Sequence, residues 1–202
     1  MKGLLQKDIY TLCKRMKLIL LLMAVFACIP GLSTTAFALF YGAMLPITAL
    51  AYDERSKWDE LAAMMPYTTR AIVGSKYALG LLLVGGISVL SAAAQVMTGM
   101  VRRTPLDADA LAAIPLMACI ALLMMLIDLP LMFRMGVEKG RILYILLTCG
   151  CVAFFAVGSE DILAAMDSVS IHTTLLLTLL ATVVVFAISY AISVRIYRVR
   201  RG

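Results

Sequence analysis

From Leu18 to Ala51 the chain carries no charged residue, a run of 34 positions. One helix crossing roughly 30 Å of hydrocarbon uses about 20 apolar residues, so this run is too long for a single pass. Pro30-Gly31 interrupts it near the middle, and such a pair marks a turn. The run therefore predicts two helices, 18–30 and 32–51, joined tightly. Further apolar runs cover 77–101, 111–133, 142–158 and 171–194, with charged or turn-forming residues between them. Pro115 and Pro130 fall inside the fourth of the six predicted spans, where proline is tolerated in lipid. The pattern predicts an all-α integral membrane protein of six transmembrane helices, forming a single transmembrane domain over 1–202.

The segments between the spans are patterned too. Over 3–17, Leu5, Ile9, Leu12, Cys13 and Met16 share one helical face, with Lys7 and Lys14 opposite. That predicts an N-terminal interfacial amphipathic helix whose lysines favour anionic head groups. A plain extension of the first span is the other reading. The longest connection is 52–76, in which Trp58, Leu61, Ala62 and Met65 recur at i, i+3, i+4 and i+7. Ser56 and Asp59 have the spacing of a capping box, and Pro66 supplies a stop. Such a helix suits docking into a groove on a partner, or lying at the interface with Trp58 at head-group level. The acidic segment 159–172 places Ile162, Leu163, Met166 and Val169 on one face and predicts a short helix or a solvated loop.

Composition agrees with lipid as the solvent. Of 202 residues, 63% are hydrophobic and 15% charged, with a mean hydropathy of +0.99. Soluble domains have about half apolar and a quarter charged residues. The net charge of +6 sits in short basic clusters at the edges of apolar runs rather than along one face. That distribution argues against a nucleic-acid partner and follows the positive-inside rule. With both termini cytoplasmic, 16 of 18 basic residues lie inside and only Arg102 and Arg103 outside. The expected location is thus the cell membrane. The basic start before an apolar run resembles a signal peptide, but without an A-x-A site it reads as a retained first span. Of the five cysteines, all but Cys13 lie in apolar runs, and the Cys149-x-Cys151 spacing is not a zinc framework.

Catalytic signatures are lacking. Gly74-Ser75-Lys76 has no upstream glycine, so the chain is not expected to hydrolyse ATP. No HExxH occurs, and the sole histidine, His172, stands at the outer end of the last run. No metal or cofactor is expected on this chain. One acid, Asp128, lies within the fourth span just before Pro130. An intramembrane carboxylate is a functional candidate by default. Its structural alternative is a hydrogen bond where Pro130 leaves a backbone carbonyl without its usual partner. The third span is rich in small residues, Gly80, Gly85, Gly86, Ser88, Ser91 and Ala92 to Ala94, which permit close helix packing within the chain or against a second one.

The order of interfacial helix, two spans, helical loop, three spans, short outer helix and last span resembles the permease subunits of bacterial type-2 ABC exporters. Three stretches carry the likeness. The opening Met1-Lys2-Gly3-Leu4-Leu5-Gln6-Lys7-Asp8-Ile9-Tyr10 is similar to that of small members. Asp53-Glu54-Arg55-Ser56-Lys57-Trp58-Asp59, with Met65-Pro66-Tyr67-Thr68-Thr69-Arg70 and Ile72-Val73-Gly74-Ser75-Lys76-Tyr77, resembles their first cytoplasmic loop. Pro130 to Arg134 with Gly136-Val137-Glu138-Lys139-Gly140-Arg141 resembles their second, which would present Arg134, Glu138, Lys139 and Arg141. The resemblance implies a coupling helix, starting near Ser56, that docks Trp58, Leu61 and Met65 on a separate ABC ATP-binding subunit, with Asp59 and Glu60 as polar contacts. It implies two permeases, identical or paralogous, paired with two ATP-binding subunits that bind the ATP and magnesium, and a pathway between the permeases. Members are associated with export of amphipathic or antimicrobial peptides and with self-protection. A different class, a non-transporting membrane scaffold, immunity or sensor protein, needs the same topology without an ATPase partner.

Overall fold

The computed structural model describes residues 2–65, 67–102, 108–157 and 171–201. They form helices α1 (Lys2–Arg15), α2 (Lys17–Cys28), α3 (Leu32–Arg55), α4 (Trp58–Met64), α5 (Thr69–Arg102), α6 (Ala108–Met135), α7 (Val137–Val157) and α8 (Ile171–Arg201). No strand occurs among the described residues. The helix or loop expected over 159–172 lies almost wholly outside them, as does Pro66.

By length and composition, α3, α5, α6 and the Thr173–Val199 portion of α8 can each cross a membrane. α2 is apolar but has only 12 residues, about 18 Å of helix. α7 has 21 residues, its first turn carrying Glu138 and Lys139. α2 and α3 meet through a three-residue turn at Ile29 to Gly31. There the Thr34 hydroxyl donates to the carbonyls of Ile29 at 3.0 Å and Gly31 at 2.8 Å. The rings of Phe26 and Phe37 then meet edge-on across the hairpin, 5.2 Å between centroids.

Several helices outrun their apolar stretches. α3 continues to Arg55, and only Gly136 separates α6 from α7, so most of the loop expected over 134–141 is helical. Hydropathy marks where a chain leaves lipid, whereas backbone hydrogen bonding decides where a helix stops. α5 begins after Thr68, whose side-chain oxygen accepts the Ala71 N–H at 3.3 Å as an N-cap does.

The main core gathers Leu39, Tyr77, Met125, Leu129 and Phe133 between α3, α5, α6 and α8. α6 and α8 share the most extensive contact, α7 packs on α6 and α3, and α1 lies across α5, α3 and α2. Gly80 makes this closeness feasible. A Cβ there would collide with the Met125 sulfur and stand 3.2 Å from Pro46 Cγ. Gly85 and Gly86, read from the sequence as part of the same packing stripe, face open space instead.

Pro130 has no N–H to give the Leu126 carbonyl one turn below. The hydroxyl of Ser189 on α8 fills that vacancy by donating to it. Ser189 and Ser193 are both hydrogen-bonded to the buried Tyr77 hydroxyl, at 2.6 and 2.7 Å. One proline thus creates a polar knot that pins α8 to α6 and α5. The carbonyl freed by Pro130 is thus met by Ser189 from α8.

Candidate functional site

The last turn of α3 reads Tyr52-Asp53-Glu54-Arg55 and projects past the apolar stretch. Its two carboxylates reach different helices. Asp53 faces α1 and α5. One of its oxygens accepts from Lys7 Nζ at 2.6 Å and the other from Lys76 Nζ at 2.5 Å. Asp8 of α1 completes the group, with one oxygen 2.8 Å from Lys76 and 3.0 Å from Lys7. Lys76 and Asp8 are each only 2% exposed. Charges buried this deeply persist only when paired, and here two lysines alternate with two aspartates for no net charge.

This cluster adds to the amphipathic reading of α1, whose Leu5, Ile9 and Met16 pack with buried Leu12 as expected. The buried positions are Leu4, Asp8 and Leu12, at i, i+4 and i+8, while Cys13 is exposed. Lys7 turns inward rather than away, because Asp53 draws it. A sequence signal existed. Asp8 stands midway in the Leu4–Leu12 stripe, where an acid requires a buried partner, and Lys76 opens an apolar run. What the sequence could not supply was that α1, α3 and α5 bring the four side chains together.

Helix α4 follows directly. Lys57 adopts a left-handed conformation (φ 52°) and precedes the first helical residue, Trp58, without a side-chain cap. The Ser56 hydroxyl donates to the Asp53 carbonyl at 3.2 Å and so closes α3 instead of opening α4. The expected capping role for Ser56 is thereby corrected, since it sits one residue too early to serve as N-cap. Trp58 and Ala62 turn towards the main core. The ammonium of Lys7 lies 4.2 Å from the Trp58 ring centroid, within cation–π range. Leu61, Met64 and Met65 are left outside, exposed to 50%, 85% and 41%. Glu60 is exposed beside Lys57 at 3.8 Å, and the Asp59 side chain is outside the described set. The predicted face is therefore divided, half holding α4 to the bundle and half available. Met64, which the four-residue pattern skipped, is the most exposed of all.

Glu54 reaches the other way. Its carboxylate accepts the backbone N–H of Val137, the first residue of α7, at 3.0 Å, and an acid is stabilised there by the helix dipole. Gly136 makes the turn with φ +85°, and a Cβ on it would come within 3.4 Å of the same carboxylate. Two segments predicted as separate loops are thus joined through Glu54. Arg134, Glu138 and Lys139 are exposed around the join, and the Arg141 side chain is outside the described set.

Asp128 is apart from this network. It is fully buried, and neither carboxylate oxygen has a hydrogen-bond partner among the described residues. Nearby, Tyr144 of α7 donates to the Phe40 carbonyl at 2.9 Å. Towards the opposite end, α3, α6 and α7 border a lateral groove of about 640 Å³ lined by apolar side chains including Phe37, Tyr41, Met124 and Ile145.

Neither the curated proteins nor the solved structures contain a match to the chain. A family model described as ABC-2 family transporter protein matches residues 3–198. Permeases of that family span the membrane and work with an ABC ATP-binding partner. A helical bundle with four membrane-length helices and a family match over nearly the whole chain lead to one assignment: the chain belongs to the ABC-2 transporter family and has the role of a membrane-spanning permease.

Proposed function

We propose that this permease is part of an ATP-driven exporter and that α4 is its coupling helix, docking on an ATP-binding subunit through Leu61, Met64 and Met65. The observation carrying this reading is the divided surface of α4. Trp58 and Ala62 hold the helix to the bundle, and three apolar side chains remain uncovered beside it. Six passes with both termini cytoplasmic complete the picture. In it Lys17 snorkels to lengthen the pass built on α2, α7 is the fifth pass, and the charged hub lies on the cytoplasmic side. Two permease copies or paralogues pair with two ATP-binding subunits, which bind ATP and magnesium. Their closure pushes on α4 and rocks the bundles as rigid bodies. The apolar lateral groove suits the hydrophobic part of an amphiphile such as an amphipathic peptide.

Purification from native membranes tests the assignment. The wild-type chain is expected to carry a phosphate-loop ATPase with it, and the Leu61→Asp/Met64→Asp variant to lose about nine-tenths of that protein while eluting at the same volume. Retention of the ATPase by the variant would sink the docking surface. A wild-type chain stably isolated with no ATPase would point instead to a scaffold, immunity or sensor role.

A further inference from the structure

The residues that enter α4 are tied in two directions at once. Asp53 is bound to α1 and α5 through Lys7 and Lys76. Glu54, the next residue, is bound to the start of α7 through the Val137 N–H. Successive residues on a helix point about 100° apart, so one turn of α3 can hold both groups of helices. Ser56 locks the same turn by donating to the Asp53 carbonyl. Lys57 makes the turn, and α4 begins at Trp58.

The Asp53 side has a fixed part and an adjustable part. Lys76 and Asp8 are sealed in the bundle at 2% exposure, whereas Lys7 retains 25%. Lys7 is also the group that reaches beyond the network, setting its ammonium over the Trp58 ring while contacting both aspartates. Among the described helices α4 packs chiefly on α3, with Trp58 and Ala62 turned to the main core. Trp58 therefore takes its place partly from a cation whose own place is set by Asp8 and Asp53.

We propose that the last turn of α3 is a forked joint. Displacement of α4 passes through Asp53 to α1 and α5 and through Glu54 to α7, and Lys7 is the positioning residue that fixes α4 to the first arm. The transmission rests on the reading of α4 as the coupling helix. The holding of Trp58 by Lys7 does not, and it can be tested on the permease alone.

Trp58 is the only tryptophan in the chain, so its fluorescence reports the seat of α4 directly. In nanodiscs, Lys7→Met is expected to raise the acrylamide quenching constant of Trp58 about twofold, with Lys7→Arg close to wild type. Asp8→Asn, which alters no group touching the indole, should raise it in the same direction. An unchanged constant in Lys7→Met, or in Asp8→Asn, overturns the positioning role. The fork is read by hydrogen exchange on the complex with its ATP-binding subunit, with and without a non-hydrolysable ATP analogue and magnesium. Wild type should show nucleotide-dependent changes in 2–15, 69–80 and 137–141. Glu54→Ala should lose them from 137–141 only, and Lys7→Met from 2–15 only. Loss from every segment in either variant, or from none, overturns the fork. If no ATP-binding subunit accompanies the chain, the coupling reading falls, and the quenching result still decides whether Lys7 positions Trp58.

Discussion

Lys76 illustrates how a single side chain can commit a helix to its place. Its ammonium is almost wholly removed from solvent and divides its ion pairs between carboxylates from two other helices. Removing one member of such a group leaves uncompensated charge in a medium that solvates it poorly. Lys76→Met leaves Asp8 and Asp53 sharing Lys7 alone and should destabilise the chain by about 3 kcal/mol, measured by unfolding in mixed micelles titrated with SDS. Lys57→Ala, which removes an exposed 3.8 Å pair with Glu60, should stay within about 0.5 kcal/mol of wild type. Equal losses for the two would contradict the distinction between buried and solvated pairs. Ser189 acts by the same logic of unmet need, since a proline on α6 orphans a carbonyl and a hydroxyl on α8 answers it.

Between helices, the deciding quantity is how near two backbones come. α5 contains three glycines within seven residues, Gly80, Gly85 and Gly86, and they look alike in sequence. Only Gly80 has neighbours where a side chain would go, the fully buried Met125 and the rigid ring of Pro46. Gly80→Val should therefore cost about 1–3 kcal/mol through overpacking. Gly86→Ala, facing open space, should change stability by less than about 0.5 kcal/mol. Thermal unfolding in detergent would separate them, and a large loss in Gly86→Ala would mean that a second chain packs on that face. The turn between α2 and α3 lies where Pro30-Gly31 predicted an interruption, because that pair breaks a helix locally without help from distant residues.

For the molecule as a whole, the charge distribution makes a topological prediction. Cys13 is exposed on α1, and Met100 is exposed near the far end of α5. In chains holding one cysteine each, an impermeant maleimide applied to intact cells should label Met100→Cys and leave Cys13 unlabelled until the membrane is permeabilised. Labelling of Cys13 in intact cells would exclude cytoplasmic placement of the N-terminus. That placement puts the hub of Lys7, Asp8, Asp53 and Lys76 at the cytoplasmic edge, beside the helix proposed to meet the ATP-binding subunit. Asp128 lies apart from this hub on α6, and among the described residues no hydrogen bond links its carboxylate to α4.

Much about this protein follows from sequence alone, because lipid imposes its demand on each segment separately. A span needs enough consecutive apolar residues, prolines and glycines interrupt it locally, and basic residues collect on one side. The helical character and the break at Pro30-Gly31 were legible on those terms, the short helix around Trp58 from its own amphipathic spacing, and the family resemblance from the element order and the residue blocks of the opening and the two loops. Pairings between distant segments were not. Lys7 read as a head-group lysine on the polar face of the first helix, Lys76 and Glu54 as parts of the first loop, and Asp8 only as part of the opening stretch. Only the packing of α1, α3, α5 and α7 turns them into partners, and it does so because a charge or N–H withdrawn from solvent must find its complement wherever the fold presents one.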